Sequence, residues 1–262
     1  MVSSVPRSVT ARGLVITKSQ LLLDDPELGE QLHGERLAAA GRVCVAHTVH
    51  LPAGVWSPEE PVEDVRHGIG LLLLDGLIVR RVGVGGRFGA ELLGEGDLVR
   101  PWQREDLGTT LRRAGRWRAL RPCRPAVLDS AFTARIARYP ELISTLVSRA
   151  VRRSRHMAVG MAIVQQPRTD VRLHMLFWEL ADRWGTVRSD GTHVPLRLTH
   201  AVLADLVAAR RPTVTKALGE LADRSAVAWT GADWLLTGSP PAELSAVGSL
   251  TIQLVRREPD LS

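Results

Sequence analysis

The chain has 262 residues, is 45% apolar and carries a net charge of +6. That length suits two domains, and no apolar run reaches the roughly 18–20 residues a membrane-spanning helix needs. The opening MVSSVPRSVTARG lacks the long apolar core of a secretory signal, so a cytoplasmic protein with no membrane partner is expected. A basic balance favours polyanionic partners. All the cationic residues but Lys18 and Lys216 are arginines, however, so their clustering is more telling than their number. Two lone cysteines, Cys44 and Cys123, exclude a zinc or iron–sulfur site built from cysteine alone and read as small buried hydrophobes.

Residues 1–28 show no clear period and read as an N-terminal arm, with a short strand at 14–17. The segment PELGEQLHGERLAAA at 26–40 places Leu28, Leu32 and Leu37 along one side of a brief helix. From 41 to about 129 the texture becomes short β-rich runs punctuated by Gly and Pro, which predicts a β roll in a domain spanning 29–138. Asp75-Gly76 and Gly85-Gly86 are hairpin signals, Glu95-Gly96-Asp97 a tight turn and 101–108 a loop. The acidic run Glu59-Glu60, Glu63-Asp64 reads as a solvated loop, with a partner contact such as RNA polymerase left open. His47 and His50 would face opposite sides of one strand, which argues against a shared metal. Trp102 and Trp117 read as core packing ahead of cavity lining.

At 139–166 one amphipathic helix of about seven turns is expected. Leu142, Leu146, Ala150, Met157, Met161 and Val164 form its stripe, with Ile143, Val147 and Val151 widening it. It is too long to hide on a small roll, so a twin helix in a homodimer is the expected cover; a bridging helix packed within one chain is the alternative. A second helix follows at 168–184, with Gly185 as its C′ stop. Residues 192–198 then read as a short edge strand suited to Pro195.

The most specific stretch is LTHAVLADLVAARRPTVTKALGELADRSAVAWTGADWLL, 198–236. Thr199 caps a short helix whose buried face is Val202, Leu203, Leu206 and Val207. The chain turns at Ala208-Ala209, and Pro212 fits N1 of a second helix. There Val214, Leu218 and Leu221 face inward, while Arg210, Arg211, Thr213, Thr215 and Lys216 form a short cationic outer face. AVAWT and DWLLT around Gly231-Ala232 make a wing. Such a helix-turn-helix at 167–248, followed by a tail at 249–262, implies duplex DNA as partner. No P-loop, nucleophile–base pair or other catalytic constellation is evident, so no enzyme and no cofactor are expected.

The order roll, long helix, winged helix-turn-helix resembles the Crp/Fnr family of bacterial transcription regulators, over about 34–238. LTHAVLADLVAARRPTVTKALGELADRSAV is the sharpest match; DGLIVRRV and AELLGEGDLV are weaker ones. The resemblance implies an α+β fold: a cyclic-nucleotide-binding-like β roll (jelly roll), a dimerisation helix and a winged DNA-binding domain. It implies that Arg211 is the principal base reader, that Thr213 and Thr215 flank it, and that Lys216 reads bases or holds phosphate. Thr199 and His200 fall where the first helix touches the DNA backbone. Three positions depart from the pattern. Ala208 replaces the usual turn Gly, which costs on the order of 1 kcal/mol if φ is positive. Arg210 replaces the capping Ser, and Pro212 replaces an acidic residue. On the effector side, Gly96-Asp97 continues as Leu98-Val99-Arg100-Pro101-Trp102, without the glutamate or the Arg-Ser-Ala that hold a cyclic nucleotide. Arg100, Arg104, Arg112 and Arg113 read as solvated loop arginines. Any small-molecule effector is therefore expected to be something other than cyclic AMP. The competing function is a cupin-like small-molecule sensor or enzyme with a C-terminal interaction module.

Overall fold

The computed structural model describes residues 8–9, 15–58, 67–84, 87–101 and 113–241, and the chain divides into two compact units, Met1–Met157 and Ala158–Ser262. In the first unit the order is β1 (Ser8–Val9), β2 (Val15–Gln20), α1 (Leu21–Asp24), a 3-10 turn at Pro26–Gly29, α2 (Gly34–Val43), β3 (Val45–Val49), β4 (Gly54–Trp56), β5 (Gly70–Leu73), β6 (Leu77–Val84), β7 (Arg87–Leu93), β8 (Leu98–Val99), β9 (Arg113–Arg121), β10 (Pro125–Leu128), α3 (Ser130–Ile136) and the greater part of α4 (Pro140–Gln165), whose residues from Ala158 on belong to the second unit. The strands form two antiparallel sheets, ordered β1-β2-β3-β10-β5-β8 and β4-β9-β6-β7.

β5 shows why the layers stack. Its residues alternate between faces, and all four are buried. Leu72 joins Leu21, Leu28, Leu32, Phe132, Ile136, Leu142 and Leu146 in a core shared by the sheet and the helices. Leu71 and Leu73 join Ile78, Leu93, Trp117 and Ala119 in a second core. Cys44 lies in the first core and Cys123 in the second, both buried. Burial, and then Asp25, push the Cys44 thiol up to about 12. No helix among the described residues is long and apolar enough to cross a membrane.

Four expectations change here. The N-terminal arm is folded from Val15 onward: β2 pairs with β3 from Ile16↔Val49 to Gln20↔Val45, and Leu21 and Leu28 are core residues. The single helix expected over 26–40 is a 3-10 turn and then α2, because His33 is extended and Gly34 takes φ +53. Asp75-Gly76 is no hairpin. It is a corner where the chain leaves one sheet for the other, and a Cβ on Gly76 would stand 2.4 Å from Cys123 Sγ. β6 and β7 do pair as a hairpin, in register Val84↔Arg87, while 85–86 themselves lie outside the described residues. Finally, the long helix does not carry one stripe. Leu142 and Leu146 turn into the unit's own core, whereas Val147 is 56% exposed and Met161 70% exposed.

Ion pairs hold α4 down in the first unit. The buried Arg149 guanidinium donates to both carboxylate oxygens of buried Asp25, one bond measuring 2.8 Å, with Glu27 at 3.6 Å. Arg153 donates to both oxygens of Glu91 (2.7 and 3.2 Å), and Glu91 also accepts from Arg80 at 3.0 Å. Arg80 in turn lies over the Trp117 ring, 5.2 Å from its centroid.

The second unit holds α5 (Thr169–Trp184), β11 (Thr186–Arg188), β12 (Gly191–Val194), α6 (His200–Leu206), α7 (Arg211–Asp223), β13 (Val227–Trp229) and β14 (Trp234–Leu236). Its sheet runs β11-β12-β14-β13. The expected edge strand at 192–198 is therefore an inner strand that stops at Val194, before Pro195, and β11 takes the edge. Gly185 ends α5 without a left-handed turn (φ −78); it is needed because a Cβ would stand 2.5 Å from the Ala181 oxygen. Phe177 and Trp234 meet at 4.7 Å between ring centroids, and Leu173, Leu180, Leu203, Val214 and Leu221 are buried in the same unit.

Candidate nucleic-acid interface

α6 and α7 are two short helices set by local chemistry. The Thr199 hydroxyl accepts from the Val202 N–H at 3.3 Å, the expected cap of α6. Val202, Leu203, Leu206 and Val207 are buried beneath it. The chain then turns at Ala208, whose φ is +50. Ala209 N–H closes the turn on the Ala204 oxygen at 2.9 Å. An arginine that no motif singles out supports this corner: Arg172 of α5 donates from Nη1 to the Val207 oxygen at 3.1 Å and to the Ala208 oxygen at 3.4 Å. Its Nε donates to the Gln166 oxygen at 2.5 Å. Carbonyls at a helix end lack intrahelical donors, and a guanidinium supplies them.

α7 begins with Arg210 as N-cap, and no side chain closes the cap. Pro212 is thus the second helical residue rather than the first; its missing N–H is still one of the helix's unpaired donors. Val214, Ala217, Leu218 and Leu221 are buried, and Arg210, Arg211, Thr213, Thr215 and Lys216 are all exposed on the opposite side. The outer face read from the sequence is therefore one continuous surface. Lys216 also stands 3.8 Å from Glu220, an exposed pair that contributes little. The far end of α7 is tied to α5. Asp170, 4% exposed, accepts from Arg224 at 2.9 Å and from Arg168 at 2.6 Å. Burial raises the Asp170 pKa, but the two arginines outweigh it and leave the carboxyl below its usual range.

Two further arrangements appear only in three dimensions. His200, half-buried on α6, places Nδ1 2.8 Å from the Thr215 hydroxyl on α7, and that hydroxyl donates to the Arg211 carbonyl at 3.1 Å. The wing is β13 and β14, as expected, paired through Trp229↔Trp234. Its turn is closed by Thr230, whose N–H donates to the Asp233 oxygen at 2.9 Å. His193 of β12 joins it, with Nδ1 2.9 Å from Asp233 and Nε2 2.9 Å from Asp190. The Asp190 carboxylate and then Asp233 raise the His193 pKa. In return His193 lowers Asp190, while Thr230 and then His193 lower Asp233.

On the roll, Asp97 is buried and its carboxylate accepts from the Gly94 N–H at 2.8 Å, so it closes the Gly96-Asp97 turn. Trp117 is buried in the second core, edge-on to Trp56 at 5.5 Å. Arg100 is exposed; Trp102, Arg104, Arg112, the acidic run at 59–64 and the loop at 102–108 lie outside the described residues. His50 meets the Thr17 hydroxyl at 3.2 Å, and among the described residues no cluster of three His, Cys, Asp or Glu is placed to hold a metal.

Residues 171–238 match the Crp-like helix-turn-helix domain family. No curated protein matches the sequence. Among solved structures, a CooA mutant from Carboxydothermus hydrogenoformans is similar at TM-score 0.60 and 12% identity, over 87% of this chain and 95% of that one. FixK2 from Bradyrhizobium japonicum is similar at TM-score 0.54 and 14% identity, over 74% and 93% of the two chains. A cyclic nucleotide-binding domain containing protein from Listeria monocytogenes EGD-e is similar at TM-score 0.56 and 10% identity, over 72% and 87%. At such identities the likeness is one of fold. The C-terminal domain matches the Crp-like helix-turn-helix family, and the chain that carries it shares its fold with the CooA mutant and FixK2.

Proposed function

We propose that this protein is a homodimeric, sequence-specific transcription regulator that reads two DNA half-sites, and that it responds to an effector other than cyclic AMP. The observation that carries the reading is the outer face of α7. Arg210, Arg211, Thr213, Thr215 and Lys216 are exposed together on a helix whose other side is buried and whose entry turn is braced by Arg172. A helix entering the major groove by its first turns needs that layout, with an arginine free to fork onto guanine O6 and N7. Regulation would then run through contact with RNA polymerase. The effector reading rests on the roll: the Gly96-Asp97 turn leads into β8 and an exposed Arg100 rather than into a glutamate.

The test is selection of bound fragments from genomic DNA, followed by affinity measurements on the selected operator. Arg211→Ala is expected to cost about 1–3 kcal/mol and to relax preference at one base position, whereas Lys216→Ala lowers the salt slope for all sequences alike. Unchanged operator affinity in Arg211→Ala would show that α7 does not read bases in this register. Screening nucleotides and other anions by thermal shift tests the effector, since a ligand of the folded state raises Tm.

A further inference from the structure

Only the link Gln166-Pro167-Arg168 joins α4 to α5. Pro167 stops α4, because it has no N–H to continue the ladder and disfavours helical backbone at the residue before it. Beyond the link, α5 packs against α7. So short a link does not by itself fix the angle between α4 and that pair; side chains have to. Ile163 near the end of α4 is buried, yet apolar burial is non-directional.

Two side chains of α5 tie the link down, and each also grips one end of α7. Arg172 donates from Nε to the Gln166 oxygen at 2.5 Å, and from Nη1 to the Val207 and Ala208 oxygens at the entry turn of α7, at 3.1 and 3.4 Å. Asp170 accepts from Arg168 of the link at 2.6 Å and from Arg224, the C-cap of α7, at 2.9 Å. Arg224 Nε in turn donates to the Glu220 oxygen in the last turn of α7 at 3.2 Å. Every one of these bonds has a charged partner, which makes it stronger than a neutral one. A tie to one end of α7 would leave a pivot, whereas ties to both ends set an orientation. The last turns of α4 belong to the same unit, and with them the exposed Met161.

Building on the reading above of a dimer on two half-sites, we infer that Arg172 and Asp170 determine which half-site spacing the protein accepts, by holding α7 at one angle to the end of α4. If α4 meets its twin, the separation and relative rotation of the two α7 helices follow from these ties. Duplex DNA makes the demand strict, since each added base pair moves the second half-site by about 3.4 Å and turns it by about 35°. Both are positioning residues, and base preference within one half-site stays with α7.

The test uses the full chain and the operator selected from genomic DNA. Fluorescence anisotropy gives affinities for a single half-site, for both half-sites at the natural spacing, and for spacers two base pairs longer or shorter. Wild type is expected to lose at least about tenfold on each altered spacer, because the avidity of the second contact goes. Arg172→Met keeps the apolar stem of the side chain, and Asp170→Asn keeps its shape. Each is expected to bind a single half-site within about twofold of wild type, yet to lose most of the discrimination between spacers. Val194→Ala is the control. It truncates a buried side chain of β12 and touches neither tie, so its Tm falls while its spacer discrimination stays that of wild type. Full discrimination in either variant would overturn the inference for that residue, and its loss in Val194→Ala would overturn it for both. An equal drop on one half-site and on two would do the same, since the ties would then serve only the fold of α7. Wild type that binds DNA without regard to spacing would overturn the inference and leave DNA binding intact. Wild type that selects no DNA would overturn the DNA-binding reading and the inference with it.

Discussion

Ala208 carries φ +50 at the turn between α6 and α7, in a region that favours glycine because an L side chain's Cβ crowds the backbone there. Its side chain is exposed, so removing the methyl group forfeits no core contact. Ala208→Gly is expected to raise stability by about 1 kcal/mol, read as a higher Tm of the full chain with unchanged DNA affinity. A lower Tm would mean that the entropy glycine adds to the unfolded chain exceeds the strain. Arg149 poses the opposite case. Burial alone would pull its pKa down; the two bonds to Asp25 leave it raised. Arg149→Met strands the Asp25 carboxylate in the core and is expected to cost about 3–5 kcal/mol, whereas pairing it with Asp25→Asn should recover much of the loss. Chemical denaturation of the two single mutants and the double mutant decides this, because additive losses would deny the pair its coupling.

Among the elements, the wing depends on Asp233 and on a neighbouring pair forty residues earlier, Asp190 and His193. His193 lies between Asp190 and Asp233, and Asp233 also accepts from Thr230 at 2.5 Å. The raised His193 pKa means that its stabilisation is complete below the unfolded imidazole value of about 6.5 and is lost as pH rises through the folded value. The lowered Asp190 and Asp233 values mean that theirs is present above about pH 3.9 and is lost as pH falls through the folded values. The clasp is strongest between those limits. The Tm difference between wild type and His193→Gln should therefore be largest near about pH 5–6 and shrink toward alkaline pH. A difference constant across that range would show that the ring's charge plays no part. The sequence could not show this clasp, because Asp233 meets the Asp190–His193 pair only once β12 lies beside β14. The same limit explains the misread corner at Asp75-Gly76. Asp-Gly marks a tight turn, but whether the flanking strands pair with each other depends on β9 and β10, about forty to fifty residues on. What was legible rested on local periodicity: Val202, Leu203 and Leu206 against exposed Arg211, Thr213 and Lys216 need only helical spacing and a capping threonine. Thr215 was placed correctly on that face, but its hydroxyl serves His200 and the backbone.

At the scale of the whole molecule, an apolar strip on α4 packs on the first core at Ile143 and stands exposed at Val147, Met157 and Met161. Ile143, Val147, Ala150, Ser154, Met157, Met161 and Val164 recur along α4 at alternating spacings of four and three, the a/d seam of a coiled coil. The neighbouring Leu142, Leu146 and Arg149 are buried in the first unit, so the helix is already anchored without this strip. Val147, Val151, Met157 and Met161 stay exposed along the part of α4 that runs beyond that core. Two copies related by a two-fold axis would bring each strip against its own equivalent. The strip gives a prediction that separates assembly from folding. Met161 is 70% exposed in the single chain, so Met161→Glu should leave each chain folded, with an unchanged circular dichroism spectrum. In a symmetric seam, however, it would set two carboxylates face to face in an apolar layer. Sedimentation equilibrium is expected to give twice the 28.6 kDa chain mass for wild type and the single mass for the variant. DNA with two half-sites should then lose the avidity of a second contact, while a single half-site binds the variant as well as wild type. A variant that stays dimeric would place the seam elsewhere on the molecule and leave the strip on α4 without a role in assembly.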